Sequence, residues 1–174
     1  MRITTVGLLA IALASLVSEN ARADADACQP IRDAIGKLNA AHQFQQRGTV
    51  THIDSGKSYS LDYVVSDDKE YSREKNGPWK VGSRQLVPLI VDDKSSIYEC
   101  SRVGTGRLGE TSAVIYVYKH VIADRRVRDV KVWIAGDGGE PLQTEMTIET
   151  ESNLKGKFTF TYDPHAALPK VDGP

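Results

Sequence analysis

The sequence predicts an α+β domain in which one main N-terminal helix packs against a curved antiparallel sheet. One segment near the start of the chain has apolar residues at helical spacing, and almost every later segment alternates apolar and polar residues. The alternating segments number seven to nine, and short turns join them. Short turns connect antiparallel neighbours, which is why the sheet is predicted to be antiparallel.

The first residues have the layout of a secretory signal peptide. A basic start is followed by an apolar run of 12 residues, Val6–Val17, and Ala21 and Ala23 occupy the −3 and −1 positions of a cleavage site. This layout, with an apolar run too short to span a bilayer comfortably, predicts a signal peptide over residues 1–23. An uncleaved anchor is the alternative. Lipidation of Cys28 is disfavoured, because the residues before it do not form a lipobox.

Residues 24–174 are predicted to form a single exported domain, periplasmic or secreted. Removal of 1–23 from the 174 residues leaves 151, with 20 basic and 22 acidic side chains and a net charge of −2. A chain without a basic excess cannot hold a phosphate backbone well, so no nucleic-acid partner is expected. No later apolar run approaches membrane length, so no integral membrane segment is expected after cleavage.

Two cysteines, Cys28 and Cys100, lie about 70 residues apart. An even number of cysteines in an exported chain predicts one structural disulfide, which would tie the N-terminal segment to a strand. A redox pair is the alternative, but the two cysteines form no C-x-x-C motif.

The helix is predicted over Pro30–His42. Proline suits a first helical turn, where its missing N–H is not needed. The residues that form one apolar stripe at helical spacing are Ile31, Ala34, Ile35, Leu38 and Ala41.

The first half of the sheet is predicted to contain a mostly polar strand (Gln45–Ile53) and a half-buried one (Tyr59–Val65). Lys69–Lys75 and Trp79–Val81 flank an Asn-Gly-Pro sequence that indicates a hairpin. In Ser83–Asp93 a proline interrupts the apolar residues, so a short helix and a covering loop remain alternatives.

The second half is predicted to contain five strands, with coil after the last. Their ranges are Ser96–Val103, Thr111–Val121, Val127–Ile134, Pro141–Thr150 and Lys157–Tyr162. Thr111–Val121 is apolar on both faces, which predicts a central strand. On Pro141–Thr150, the apolar face is predicted to contain Leu142, Met146 and Ile148.

The segment Gly104–Gly109, GTGRLG, matches the G-x-G-x-x-G pattern of dinucleotide-binding proteins. That pattern binds phosphate only between a strand and a helix N-terminus. The residues that follow it alternate as a strand, so we expect a glycine-rich turn between two strands and no nucleotide cofactor.

No catalytic or metal-binding pattern is found in the sequence. The four histidines are too scattered for a zinc motif, and no G-x-S-x-G is present. The carboxylate pairs Asp67-Asp68 and Asp92-Asp93 fall in predicted turns, whereas catalytic carboxylate pairs need burial. We therefore assign no catalytic residue, metal or cofactor and do not expect an enzyme. An active site assembled only by the fold remains an alternative.

The apolar face of the predicted sheet is rich in aromatic residues. They form either an ordinary core or, if the sheet curls and the helix covers it only partly, the wall of a cavity for an apolar ligand. The candidate lining residues are Tyr59, Leu61, Tyr63, Tyr116, Tyr118, Val132, Met146, Ile148, Phe158 and Phe160.

Two segments, NGPWK at Asn76–Lys80 and VKVWIAGDGGEPLQTEM at Val130–Met146, resemble the LolA-like, LppX-like and RseB-like half-barrel proteins. The resemblance implies an incomplete antiparallel barrel of about seven to nine strands in the cell envelope, whose apolar concave side binds acyl chains or lipoproteins. It implies no catalytic residues, because the matching positions are turn and packing residues.

The favoured hypothesis is a non-enzymatic binding protein for a lipid, an acyl chain, a similar hydrophobic molecule or a lipidated protein. The alternative is a protein-interaction module, such as an envelope stress sensor or an inhibitor of another envelope protein. That module would use the solvent face of the sheet, or Trp79 and Trp133 if these are exposed.

Overall fold

The computed structural model of the chain describes residues 16–122, 125–136, 139–148 and 153–171. Within these residues it contains one helix, a nine-stranded sheet whose neighbouring strands are all antiparallel, and a separate two-stranded hairpin. The predicted α+β class and the number of strands are confirmed.

The elements follow one another along the chain as a helix, four strands, the small hairpin and five more strands. They are α1 (Leu16–Ala40), β1 (Gln43–His52), β2 (Ser58–Ser66), β3 (Lys69–Glu74), β4 (Lys80–Ser83), β5 (Ile90–Val91), β6 (Lys94–Ser95), β7 (Ile97–Leu108), β8 (Thr111–Val121), β9 (Val127–Ala135), β10 (Pro141–Ile148) and β11 (Leu154–Thr161). The end of the fourth predicted strand of the second half, residues 149–150, lies outside the described residues.

The strand order of the sheet is β4-β3-β2-β1-β11-β10-β9-β8-β7. The chain builds one half from β1 to β4, crosses to the opposite edge, and returns strand by strand until β11 pairs with β1. The edge strands β4 and β7 do not pair with each other, so the sheet stays open as a half-barrel.

The helix starts earlier than predicted. It begins at Leu16 and contains Pro30 in its interior, so the prediction that Pro30 opens the helix is wrong. A proline removes one helical hydrogen bond. The buried apolar stripe around Ile31 and Ile35 offsets that loss. The predicted signal peptide falls on residues 1–15, outside the described residues, and on the first turns of α1; it stays a prediction.

The strand Thr111–Val121 forms as predicted, but it is not central. It is β8, second from the β7 edge, and β11 occupies the centre of the sheet. The apolar residues on its outer face are shielded by side chains of the neighbouring strand, and not by a central position of β8 in the sheet. Ile115 lies opposite Trp133 in the β8–β9 register, and both side chains are half-buried.

The glycine segment is mostly strand rather than turn. Strand β7 continues to Leu108, and only Gly109 and Glu110 turn, with Gly109 at a φ of 59°. The predicted turn over Gly104–Gly109 is therefore too long, because a β-bulge between Arg102 and Gly104 absorbs the irregularity within the strand. No helix follows it, as predicted, since β8 begins at Thr111.

The main core lies between α1 and the β7–β9 side of the sheet. Its buried residues are Cys28, Ile31, Ala34, Ile35, Ile97, Cys100, Tyr118, Val130, Val132 and Ile134. The predicted disulfide between Cys28 and Cys100 is confirmed, with Cα atoms 5.1 Å apart, and it ties α1 to β7. The other half of the inner face, on β1, β2, β10 and β11, is less completely covered by the helix.

Candidate functional site

Strand register places five residues in one row across the inner face of the sheet. Leu61 of β2 lies opposite Gly48 of β1, which lies opposite Phe158 of β11. Phe158 lies opposite Thr144 of β10, which lies opposite Val132 of β9. Directly opposed residues share one face of a sheet, so this row crosses the concave side of the half-barrel.

A cavity of about 660 Å³ lies between this face, α1 and the loop of residues 84–89. The volume falls within the range of roughly 300–1,000 Å³ that is typical of small-molecule sites. Its wall is mainly apolar. Beyond the residues predicted from the sequence, the wall includes Ile31, Ala34, Ile35, Leu38, Phe44, Val50, Val65, Leu86, Val87, Val130 and Ile134.

Nine of the ten residues predicted to line a cavity do line this one, and their role in binding stays a prediction. They are Tyr59, Leu61, Tyr63, Tyr118, Val132, Met146, Ile148, Phe158 and Phe160. Tyr116 does not belong to the wall, because its side chain packs against the core cluster under α1. The alternation along β8 correctly assigned Tyr116 to the inner face of the sheet. It could not show which part of that face is covered by the helix.

Two glycines shape the floor of the cavity. A Cβ atom at Gly48 would overlap the Phe158 ring and the carbonyl oxygen of Lys157. At Gly156 a Cβ would lie 2.8 Å from Phe158 Cε2 and 3.3 Å from Met146 Cγ. The ring of Phe158 therefore lies over bare backbone on both sides. Sequence reasoning missed this role, although a glycine inside an alternating strand is a known signal of close approach.

A bulge in β10 changes which residues face inward. The register with β9 shifts between Pro141 and Gln143, so Pro141 and Thr144 both line the cavity. The prediction that Leu142 belongs to the apolar inner face is wrong, because the extra residue of the bulge reverses the alternation there. In its place Pro141 lies on the inner face, opposite Ile134, while Thr144 keeps the alternation that it shares with Met146 and Ile148.

Thr144 has an unusual environment for a polar residue. It is 8% exposed, and its Oγ1 atom has no hydrogen-bond partner among the residues that the structure describes. Its direct cross-strand neighbours, Val132 and Phe158, offer only apolar side chains. The Thr144 hydroxyl oxygen is thus buried within the wall, with a hydrogen-bonding capacity that the described protein does not use.

Two ionisable groups line the cavity from strands near the two opposite edges of the sheet. Glu70 lies on β3, and burial raises the pKa of its carboxyl group, while a hydrogen bond from the Gln85 backbone opposes that shift. On the other side, burial lowers the pKa of His120 on β8. Seven strands of the order lie from β3 to β8, and neither group is a cause of the pKa shift of the other.

Arg128 of β9 brings a positive charge to the inner face, between His120 of β8 and Ile148 of β10. Burial raises the pKa of Tyr63 and of Tyr118, and the Arg128 charge acts in the opposite direction on both phenols. The same charge adds to the lowering of the His120 pKa. The Arg128 guanidinium therefore influences the pKa values of side chains on both β2 and β8.

The loop of residues 84–89 is fixed to the end of the helix by Arg84. Its guanidinium donates hydrogen bonds to the carbonyl oxygens of Ala41 at 2.9 Å, Leu38 at 3.0 Å and Asn39 at 2.8 Å. A fourth bond joins it to the carbonyl oxygen of Asp67 at 3.1 Å. These carbonyl groups include those that a helix C-terminus leaves without intrahelical partners, so Arg84 caps α1 and holds the loop.

Two further contacts hold the loop over the cavity. Asn39 donates to the Val87 carbonyl oxygen at 2.9 Å and accepts from the Val87 N–H at 3.0 Å. The carbonyl oxygen of Pro88 accepts bonds from Ser96 Oγ at 2.7 Å and His120 Nε2 at 3.2 Å. Of the two interpretations left open for Ser83–Asp93, the covering loop is therefore confirmed.

The two tryptophans considered for an interaction surface are half-buried. The Arg73 guanidinium lies 4.6 Å from the ring centre of Trp79, and Lys131 Nζ lies 4.8 Å from that of Trp133. Cationic side chains thus cover part of each indole ring.

Within the described ranges no three His, Cys, Asp or Glu side chains are grouped closely enough to hold a metal ion. In the same part of the chain, the one helix is not apolar enough over a sufficient length to cross a membrane.

No protein-family model matches the chain, and no curated protein matches it in sequence. Among solved structures, the lipoprotein LppX of Mycobacterium tuberculosis is similar to it, with 15% identity and a TM-score of 0.55. That match covers 86% of this chain and 100% of LppX. The chain therefore has an LppX-like fold, which confirms the half-barrel resemblance at the level of the fold.

Two other solved proteins are more distantly similar. MucB matches with a TM-score of 0.46 alone and 0.48 in complex with MucA, at 16% identity over 86% of this chain, which covers 63% and 59% of the MucB chains. A LolA superfamily protein from Nitrosomonas europaea matches with a TM-score of 0.33 and 7% identity, over 79% of this chain and 94% of its own.

Proposed function

With an LppX-like half-barrel as the starting point, we propose that this chain is a non-enzymatic, exported protein that binds a hydrophobic ligand such as a lipid or an acyl chain. The observation that carries the proposal is the cavity of about 660 Å³ with its mainly apolar wall. Ligand sites of this kind are concave and apolar, with a few polar groups that set orientation.

The two sides of the cavity differ in exposure. Tyr59, Leu61 and Tyr63 on β2 are half-buried, whereas Val132 and Phe158 are buried. An apolar ligand that covers the β2 side chains removes their surface from water, which contributes about 25 cal/mol for each Å². The β2 side therefore forms the mouth of the cavity, and the β9–β11 side forms its depth.

Export to the periplasm or the cell exterior is part of the proposal. The Cys28–Cys100 disulfide supports it, since disulfides persist in oxidising compartments. The predicted signal peptide over residues 1–23 points to the same location. A binding role is supported by the mainly apolar wall of the cavity.

The experiment is a titration of delipidated protein with a fluorescent fatty acid. Saturable binding at micromolar concentration is expected. Leu61→Trp would place a larger side chain at the β2 mouth of the cavity, on the inner face, and should weaken binding at least about tenfold. Ser60→Trp, on the outer face of the same strand, is the matched control and should bind normally. Absence of saturable binding by the unaltered protein would refute the proposal.

The alternative of a protein-interaction module predicts a different result. In that case the outer face of the sheet binds another envelope protein, and Leu61→Trp leaves capture of that protein unchanged. Both tryptophans suggested for such a surface are partly covered by cationic side chains, so the cavity is the better-supported site.

A further inference from the structure

Arg128 is a charged residue in a cavity whose wall is mainly apolar. It lies near the start of β9 and lines the cavity. The residue is half-buried, whereas Val130 and Val132, the next inward-facing residues of the same strand, are buried. Arg128 therefore brings a positive charge to one end of the cavity, at a place where the residue keeps part of its surface exposed.

The charge of Arg128 acts across the cavity. It opposes the rise in pKa that burial causes at Tyr63, although three strands of the sheet lie between β2 and β9. It acts in the same direction on the pKa of Tyr118 on β8. A positive charge that favours the phenolate form of these tyrosines also favours any other anion inside the cavity.

The other ionisable groups of the wall do not offer an anion the same site. Arg84 donates its hydrogen bonds to four carbonyl oxygens at the end of α1 and before β3. Burial lowers the pKa of His120, which favours its neutral form, and its Nε2 atom bonds to the Pro88 carbonyl oxygen. Among the described residues that line the cavity, the one acidic side chain is Glu70.

Strand register places Arg128 and Glu70 at opposite ends of the inner face. Arg128 lies opposite Ile148, which lies opposite Leu154, in the row that meets the last residue of β1. Glu70 lies opposite Val65, in the row that meets β1 near its first residue. An anionic group is therefore attracted to the Arg128 end of the cavity and repelled from the Glu70 end.

An apolar path leads away from the Arg128 end along β11. Leu154, Gly156, Phe158 and Phe160 all line the cavity. At about 3.3 Å for each residue, this path is roughly 20 Å long. That length suits the extended hydrocarbon chain of a long-chain fatty acid whose head group lies beside Arg128.

We propose that Arg128 makes this cavity selective for acyl chains with an anionic head group, a carboxylate or a phosphate, which binds at the Arg128 end while the chain follows β11. The proposal rests on the hydrophobic-ligand function inferred above and names the class of ligand. Hydrogen bonds between a guanidinium and an anionic oxygen are roughly twice as strong as those between neutral groups. A ligand with a neutral head group forms only the weaker bond.

The test measures displacement of the neutral dye N-phenyl-1-naphthylamine by palmitate and by hexadecanol, which differ in the charge of the head group. The unaltered protein should favour palmitate by a factor roughly tenfold larger than the factor shown by Arg128→Gln. Arg128→Lys keeps the charge and should keep most of the preference. Arg102→Gln removes the same charge at an exposed position outside the cavity wall and should behave like the unaltered protein.

Hexadecyl phosphate distinguishes the two head groups. If it binds more tightly than palmitate, and the difference depends on Arg128, the site is assigned to a phosphate. An Arg128-dependent preference for palmitate assigns it to a carboxylate. Either result supports the proposed selectivity for an anion.

The outcomes separate this inference from the general function. If the unaltered protein and Arg128→Gln show the same ratio of affinities for palmitate and hexadecanol, the role of Arg128 is refuted while binding of hydrophobic ligands stands. If neither the dye nor any of the ligands binds saturably to the unaltered protein, both proposals are refuted.

A second measurement uses only the unaltered protein, so it holds even if circular dichroism shows that Arg128→Gln is unfolded. The carboxyl group of bound palmitate, labelled with ¹³C, is titrated by NMR. Because a neighbouring guanidinium favours the charged form, this carboxyl group should titrate at a lower pH than a carboxyl group in water. A pKa at or above the value in water would overturn the proposal.

Discussion

The ring of Phe158 lies over Gly48 on the neighbouring strand, so close that a side chain at position 48 would overlap it. The two residues are direct cross-strand partners on the concave face of the half-barrel. The pair allows a large aromatic ring to lie low against the sheet, which keeps the space above it open as a cavity.

Replacement of Gly48 by alanine should destabilise the protein. The new Cβ atom would meet both the Phe158 ring and a backbone carbonyl oxygen, and the backbone cannot move aside cheaply. We expect a loss of about 1–3 kcal/mol in the free energy of unfolding, measured by urea denaturation. Gly82→Ala is the matched control, because no atom lies within 4 Å of its added Cβ and the change should be below about 0.5 kcal/mol. Equal stability of the two variants would contradict the close approach.

Loss of the disulfide should lower stability by a larger amount. The bond joins residues separated by 72 positions, and the chain-entropy model gives roughly 4 kcal/mol for a loop of that length. A Cys28→Ala/Cys100→Ala variant should show this decrease in urea denaturation. Reductant provides the control, since it should destabilise the unaltered protein and leave the double variant unchanged. A variant as stable as the oxidised protein would show that the bond contributes little.

Replacement of Arg84 by glutamine should release the covering loop. Four carbonyl oxygens, three of them at or just after the end of α1, would lose a charged donor. Hydrogen bonds to charged groups contribute about 1.5–3 kcal/mol each in favourable cases. Because water can hydrate the freed carbonyl oxygens, we expect the free energy of unfolding to fall by about 1–3 kcal/mol in total. Faster amide hydrogen exchange at Val87 is the local measurement. Arg107→Gln, at an exposed side chain that donates to the Glu110 carbonyl, is the control and should leave Val87 exchange unchanged.

Mild acid should lower the stability of the folded protein through protonation of His120. Burial and the Arg128 charge lower its pKa in the folded state, so the unfolded chain binds its proton first as the pH falls. Stability from this group is complete above the unfolded pKa of about 6.5 and is lost as the pH falls from there towards the lower folded pKa. Thermal unfolding from pH 8 to pH 5 should show a smaller decrease for His120→Gln than for the unaltered protein. His165→Gln, at an exposed position in the C-terminal segment, should behave like the unaltered protein; identical pH profiles for all three would contradict the assignment.

Much of the site could be predicted because alternation along a strand is a local property. Tyr59, Leu61 and Tyr63 share one face of β2 wherever that strand lies, and the structure places all three at the cavity. The disulfide followed from two cysteines in a chain with a predicted export signal. Leu142 was misplaced because a bulge, which depends on pairing with β9, reversed the alternation locally.

The sequence by itself determined the kinds of element, the antiparallel connections and most of the inner face, since each depends on residues near one another along the chain. Only the tertiary structure decided that β8 lies near an edge, that β11 pairs with β1, and that Pro30 lies inside a helix. It alone also decided that Gly48 meets Phe158 and that the Thr144 hydroxyl oxygen is buried without a described hydrogen-bond partner. These facts depend on which strands become neighbours and on how much of the sheet the helix covers, and both are set by contacts between residues far apart in the chain.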